Sequence, residues 1–302
     1  KVGARFAVAF NSGTAALHAA YFAAGIGSGD EIVVTALSFA ATANAALYLG
    51  AKPVFADSDI KTGNMSVVDT AKKITNKTKA IVPVDYAGRP VDLRAFRLLA
   101  RKHKIILIED AAQALGAKYG GKLVGAQADM TMFSFHPAKS ITTGEGGVIV
   151  TNNQEFDIAL RLFRSHGISR DTKTFSRKNS GKWYQEMQEL GFNYRMPEMS
   201  AALGKSQLRR LDSFILRRTA AANRYHQLFM GVRNLILPPV ESAHGKSAWH
   251  LYPVRLATCI ANKRDEVFVK LLEAGIGVQV HHLPIYRHLY YRKARDSSRG
   301  LF

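Results

Sequence analysis

Six residues, Ile105-Ile106-Leu107-Ile108-Glu109-Asp110, run from four aliphatic side chains into a pair of acids. A run this short and this apolar suits a strand buried on both faces, as in parallel sheets covered by helices. Such sheets bind their ligands in the crevice outside the carboxyl ends of the strands. Asp110 therefore stands where a ligand would be held. A second apolar run, Met130 to Phe135, leads into His136-Pro137-Ala138-Lys139 and then a glycine-rich turn ending at Gly146-Gly147. Lys139 can face the same crevice. Lysine forms Schiff bases with carbonyl cofactors, and an acid beside a pyridinium nitrogen is the other half of a pyridoxal phosphate site. The opposing reading, an ion-paired surface acid and a solvated lysine, is open at this point.

The remaining pattern is alternation of strand and helix. Phe6 to Phe10 reads as a strand, followed by the turn Asn11-Ser12-Gly13-Thr14 and an alanine-rich helix ending at Gly25. Strands are expected at Glu31–Thr35, Pro53–Phe55, Ala80–Val84 and Val148–Val150, and helices at Phe39–Leu49, Asp92–His103 and Gln154–Arg164. A short helix is expected near Ala111–Leu115. This order predicts an α/β fold, a mostly parallel sheet flanked by helices. A polar, basic stretch from His166 to Tyr194 precedes one long helix, Glu198 to Phe229, with an apolar stripe through Leu208, Leu211, Ile215, Ala222, Tyr225 and Phe229. Pro238-Pro239 marks a linker. Beyond it a strand (Trp249–Leu256), a helix (Lys263–Ala274) and a strand (Gly277–Val280) predict a smaller unit. The expected division is a large domain, 1–232, and an incomplete small domain, 233–302.

The turn before the first helix offers backbone N–H groups to an anion, although Ser and Thr at that place also serve as ordinary helix caps. His18, inside that helix, reads as a packed histidine. Phe39, at a strand-to-helix junction, reads as core or as a ring facing a ligand. The single cysteine among 302 residues excludes an internal disulfide framework and a cysteine-based metal site. No apolar run is long enough to span a bilayer and no signal peptide is read, so the expectation is a cytoplasmic protein. The formal net charge of +19 favours anionic partners. No zinc-finger spacing, RNA-binding aromatic signature or basic zipper accompanies it, so the expected partners are phosphorylated small molecules, with neither nucleic acid nor membrane.

The ordered segments NSGTAALHAA, EDAAQALGA, FSFHPAKSITTGEGG, LGFNYRMPEMSAALGKSQL and GVQVHHLPIY together resemble the DegT/DnrJ/EryC1/StrS nucleotide-sugar aminotransferases, of the fold-type-I pyridoxal phosphate superfamily. The resemblance covers nearly the whole chain. It implies pyridoxal phosphate as cofactor, Lys139 as its covalent anchor and proton carrier, and Asp110 as the acid at the ring nitrogen. It further implies Gln113 near the phenolic oxygen, Phe39 stacked on the ring, and Gly13, Thr14 and Ser134 on the phosphate. Asn193 would reach the phosphate of a neighbouring subunit, which implies a homodimer, and His282 would line the sugar site. The implied reaction moves an amino group from an amino acid, L-glutamate, to the 4-keto carbon of a UDP-linked 4-keto-6-deoxy-N-acetylhexosamine. FHPAKSITTGEGG and WYQEMQELGFNYRM point to the pseudaminic acid branch. The diphosphate gives the basic stretch Arg164–Lys182 a partner.

Three rivals stand beside this reading. One is transfer to a GDP- or dTDP-linked 4-keto-6-deoxysugar. Another is a sugar dehydratase on the same scaffold, in which a histidine replaces the lysine present here as Lys139. The third is a non-enzymatic binding protein. The family also leads us to expect a segment before Lys1 and more small domain after GVQVHHLPIY, since the closing RKARDSSRGLF does not resemble it.

Overall fold

The apolar runs do form strands, and seven of them share one sheet. The computed structural model describes residues 1–177, 181–239 and 245–296. The strands are β1 (Phe6–Phe10), β2 (Glu31–Thr35), β3 (Lys52–Ala56), β4 (Thr78–Val82), β5 (Ile106–Asp110), β6 (Met130–Ser134) and β7 (Gly147–Thr151), in the order β1-β7-β6-β5-β4-β2-β3. The pairs from β3 through β6 are parallel, whereas β7 lies antiparallel to both β6 and β1. The mostly parallel α/β sheet is as expected.

Side chains alternate across this sheet, and each face has its own core. One face packs Ile32, Val34, Val82, Ile108 and Met130 under α1 (Gly13–Ala23) and α2 (Ala41–Leu47). Alanine-rich helices permit close approach, and Ala16, Ala19, Ala20, Ala43, Ala45 and Ala46 are all fully covered. The other face packs Val33, Ile81 and Leu107 against α4 (Leu93–His103), which follows the short α3 (Val67–Lys73). Helix α4 is amphipathic: Leu93, Phe96, Leu99 and Ala100 point inwards. Its cap Asp92 accepts from the Ala95 N–H at 3.2 Å, and Arg101, Lys102 and His103 sit at the carboxyl end, where the dipole favours cations.

Several expectations change. The long helix is two, α6 (Glu198–Arg209) and α7 (Leu211–Phe229), following α5 (Gln154–Arg164) and broken at Arg210 with φ −95° and ψ −3°. Of its apolar stripe only Leu211 and Ala222 are buried, while Tyr225 is about half exposed. Ala111–Leu115 forms successive turns, not a helix. The Ala112 N–H is taken by the Asp110 side chain, and Gly116 leaves the helical region at φ 95°. The strand expected from Trp249 shrinks to Arg255–Leu256, paired with Leu235–Ile236. Its first part bonds elsewhere: the Ala248 and Leu251 N–H groups donate to the Gly88 and Ala87 carbonyls. Gly277–Val280 has no ladder partner among the described residues and is irregular. Helix α8 (Arg264–Glu273) matches expectation, whereas α9 (Leu289–Asp296) arises where no element was read. Tyr291 pins α9 by donating to Asn44 Oδ1 at 2.6 Å.

Gly88 lies at a close backbone crossing next to the site. Its φ is 90°, and a Cβ there would lie 2.9 Å from both Gln113 O and His250 N and 3.1 Å from Trp249 N. Neither backbone segment can yield as a flexible side chain would. Gly88→Ala is expected to cost about 2 kcal/mol or more of stability through combined strain and displacement. Urea unfolding of the two proteins compares this directly.

Candidate active site

Asp110 ends β5 at the carboxyl edge of the sheet, 3% exposed. Its Oδ2 accepts from the Thr42 hydroxyl at 2.8 Å and its Oδ1 from the Ala112 N–H at 3.1 Å. Burial raises its pKa, while these bonds and the Lys139 charge oppose the rise. Thr42 is itself fixed, since the buried Tyr21 hydroxyl donates to its carbonyl at 2.8 Å. The helix reading Phe39–Leu49 contained Thr42 without marking it. One turn beyond Phe39, its small hydroxyl at the start of a buried helix was the available signal.

Lys139 follows β6 through a turn in which its own N–H donates to the His136 carbonyl at 2.9 Å. Burial lowers the pKa of its amine, and Asp110 partly restores it. The acid and the lysine therefore lie within electrostatic reach in a poorly solvated crevice, which rules out the surface ion pair and solvated lysine left open by the sequence. Arg218 of α7 supports the turn, donating to the Lys139 carbonyl at 3.4 Å and to the Trp249 and His250 carbonyls at 3.2 and 3.3 Å.

The amino end of α1 meets the ends of β6 and β7 beside this pair. Ser12 takes the Ala15 N–H on its hydroxyl and the Ala16 N–H on its carbonyl. The Gly13 and Thr14 N–H groups are then the helix donors left for an anion. A Cβ on Gly13 would stand 3.1 Å from Ser134 Cβ and 3.2 Å from its Oγ. A Cβ on Gly147 would meet Ser12 O at 2.7 Å and Gly13 N at 2.9 Å. Small residues are thus required on both sides of a cradle of donors.

Gln113 is buried, and its Oε1 accepts from the Ala87 N–H at 2.7 Å, so the amide nitrogen is what it can offer a ligand. Phe39 is 64% exposed, with its ring centroid 6.4 Å from that of His282. His282 and His250 both feel Lys139. Burial first, then neighbouring cations, pushes them to about 4 and about 3, so both are neutral imidazoles. His282 Nε2, His250 Nδ1 and the adjacent Ser140 Oγ are buried without a partner among the described residues. His250 and Arg218 were missed because a histidine and an arginine far along the chain carry no local motif.

Asn193 is not brought into this crevice. It is exposed, and its backbone pairs with Ser165. His18 is packed as expected, ringed by Tyr48, Phe163, Phe192 and Tyr194 and pushed down to about 4 by burial. Arg164, expected in a basic surface stretch, instead donates to the Ala9 carbonyl at 3.0 Å and ties α5 to β1. Lys178 of that stretch lies outside the described residues.

A buried acid, a lysine of depressed pKa and a small-residue anion cradle at one sheet edge coincide with what comparison with known proteins finds. The DegT/DnrJ/EryC1/StrS aminotransferase family model matches residues 1–301. The chain belongs to this family. The UDP-4-amino-4,6-dideoxy-N-acetyl-beta-L-altrosamine transaminase of Campylobacter jejuni (strain 81-176) is 42% identical over 298 residues, covering 97% of this chain and 75% of that protein. The GDP-perosamine synthase of Caulobacter vibrioides is 38% identical over 292 residues, covering 95% and 76%. Helicobacter pylori PseC, an aminotransferase involved in pseudoaminic acid biosynthesis, superposes with a TM-score of 0.89 at 34% identity, covering 98% of this chain and 78% of PseC. The chain is a pyridoxal phosphate-dependent sugar aminotransferase. The crevice fits that cofactor: the cradle suits a phosphate, and Asp110 suits a protonated ring nitrogen.

Thr42→Val removes the hydroxyl that steadies Asp110 and so raises the acid's pKa further. Charge-assisted hydrogen bonds of this kind contribute about 1.5–3 kcal/mol, so pyridoxal phosphate should bind roughly tenfold more weakly or worse. The loss should be larger in acidic buffer, where the variant's Asp110 becomes neutral first. Fluorescence titration with the cofactor at several pH values checks both points.

Proposed function

We propose that this chain moves an amino group from L-glutamate to the 4-keto carbon of a UDP-linked 4-keto-6-deoxy-N-acetylhexosamine, for glycans of the pseudaminic acid type. The observation that carries this is the opposition of buried Asp110 and half-buried Lys139 beside the α1 cradle. The sugar assignment rests on the likeness to the Campylobacter transaminase and to PseC. Bound in the crevice, pyridoxal phosphate supplies an electron sink that lets the carbon bearing the amine lose and regain a proton.

The residues of the chain do the rest. Gly13 and Thr14 N–H groups and the Ser134 hydroxyl hold the phosphate, aided by the helix dipole. Asp110 keeps a proton on the ring nitrogen by presenting a carboxylate fixed from both oxygens. Gln113 offers its amide nitrogen to the phenolic oxygen. Phe39, with its ring exposed, would stack on the cofactor. Lys139 would anchor the cofactor covalently and, when free, would carry a proton on its Nζ. Its low-dielectric surroundings favour the neutral amine this task needs. His282 lines the sugar end, where a neutral imidazole can donate to or accept from a hydroxyl or carbonyl.

Asn193 acts across a homodimer, reaching the phosphate held by a second copy. Its exposure supports this, as does the large apolar surface on α6 and α7, where Met199 is 86% and Leu216 71% exposed. The protein is cytoplasmic in this reading, and no described helix is long and apolar enough to cross a membrane. In this reading residues 1–232 are the cofactor-binding domain and 233–302 an incomplete small domain.

The likeness to a GDP-perosamine synthase makes GDP-linked sugar the second reading. Purified protein should be given UDP-, GDP- and dTDP-linked 4-keto-6-deoxysugars with L-glutamate, and product amine measured by mass. We expect kcat/KM for the UDP-N-acetyl sugar to exceed the others by about tenfold or more, since a site built to pair polar groups rejects a substrate lacking them. Equal or faster turnover of the GDP sugar would transfer the assignment to the second reading.

A further inference from the structure

Asp85 and Glu109 are fully buried acids that the crevice does not use. Along β5, Ile108 and Asp110 turn towards α1 and α2, so Leu107 and Glu109 turn towards α4. On the neighbouring strand and its extension Ile81 pairs with Leu107 and Val84 with Asp110. Alternation from Val84 then places Asp85 on the α4 face, beside Glu109.

Each acid is half satisfied. Asp85 Oδ1 accepts from the Val91 N–H at 2.9 Å, and Glu109 Oε2 accepts from the Thr131 hydroxyl at 2.9 Å. Asp85 Oδ2 and Glu109 Oε1 have no partner among the described residues. Two adjacent carboxylates cannot both remain charged in a dry interior. Arg97 of α4 is the cation that acts on Glu109, whereas Asp110 adds a negative charge to both acids and is itself opposed by Lys139. No group of three metal-ligating side chains occurs among the described residues.

We propose that Asp85 and Glu109 hold one proton between their two unpartnered oxygens, and that this carboxyl–carboxylate pair is a positioning element for Asp110. The backbone makes the connection. The Asp85 N–H donates to the Asp110 carbonyl at 3.1 Å, and the Asp110 N–H donates to the Pro83 carbonyl at 2.9 Å. The pair therefore fixes the strand ends that carry Asp110 and leaves one negative charge behind it, which favours a cation in front. This last role rests on the crevice reading; the shared proton does not.

Burial, with repulsion from Asp110, pushes Glu109 from 4.5 up to about 7, and burial with repulsion from Glu109 raises Asp85 well above its ordinary value. A raised carboxyl pKa means the folded chain keeps a proton that the unfolded chain has released. The pair should therefore contribute about one proton taken up on folding between pH 4.5 and 7, opposite in sign to the protons that His18, His250 and His282, held neutral by burial, release over the same range. Glu109→Gln supplies a permanent N–H to Asp85, and Asp85→Asn does so from the other side.

Urea unfolding of the cofactor-free protein across this pH range, with both variants, is the test. Measured against the wild type, the pH slope of both variants should change by about one proton, and their midpoints should gain on it as pH rises towards neutrality; identical slopes in all three proteins would overturn the shared proton. Should a variant fail to fold, carbon-13 NMR of wild-type protein labelled at its glutamate carboxyls still decides. Glu109 is the one buried glutamate among the described residues, so one resonance should titrate near 7. Titration of every glutamate below about 5 contradicts the proposal. With pyridoxal phosphate bound, the doubly neutral D85N/E109Q protein should shift the pH midpoint of the cofactor's visible band downwards, and an unmoved midpoint removes the positioning role. The cofactor-free titration reads the shared proton whatever the crevice holds, so its failure is distinct from a failure of the cofactor to bind.

Discussion

The structure depends on one constraint: a carboxylate must stay usable as a charge at a place where burial works against it. Asp110 is 3% exposed, and an isolated carboxylate at such depth would take up a proton. The Thr42 hydroxyl, the Ala112 N–H and the Lys139 amine each offset part of that burial cost. Each donor comes from a different element. Thr42 requires α2 to lie on the sheet, Ala112 requires the turn after β5, and Lys139 requires β6 to emerge beside it. The parallel pairing of β5 with β6 is thus as much part of the site as the side chains.

The same logic extends to the anion cradle. Backbone N–H groups at the start of α1 can serve a phosphate only if nothing fills the space in front of them. Gly13 and Gly147 keep Cβ atoms out of the crossing with Ser134 and Ser12. Arg218, the arginine that braces the turn bearing Lys139, is spent on three carbonyls. The donors this cradle offers are backbone dipoles and a hydroxyl rather than cations.

Much of this was legible in the sequence because local chemistry encoded it. Strands β1, β2, β5, β6 and β7 and helices α1, α4 and α5 follow from apolar runs, caps and periodicity. Asp110, Lys139, Gly13 and Ser134 stand at strand or helix ends, where function is read most easily. What escaped depended on distant partners. The stretch from Trp249 has strand-like residues, yet its N–H groups find Ala87 and Gly88 rather than a ladder. The break at Arg210 falls where neither proline nor glycine stands to announce it. Arg164 looked like one of several surface cations until Ala9 proved to be its acceptor. Thr42, His250 and the Asp85–Glu109 pair gain meaning only once the sheet has brought them together.

The claim that all of this serves a covalently held cofactor on one lysine has a direct measurement. The purified chain would be loaded with pyridoxal phosphate, reduced with borohydride, digested and mapped by mass. The account predicts a yellow protein whose reduced cofactor is found on the peptide containing Lys139 and on no other. A folded protein that stays colourless, or carries the label on other lysines, would contradict it.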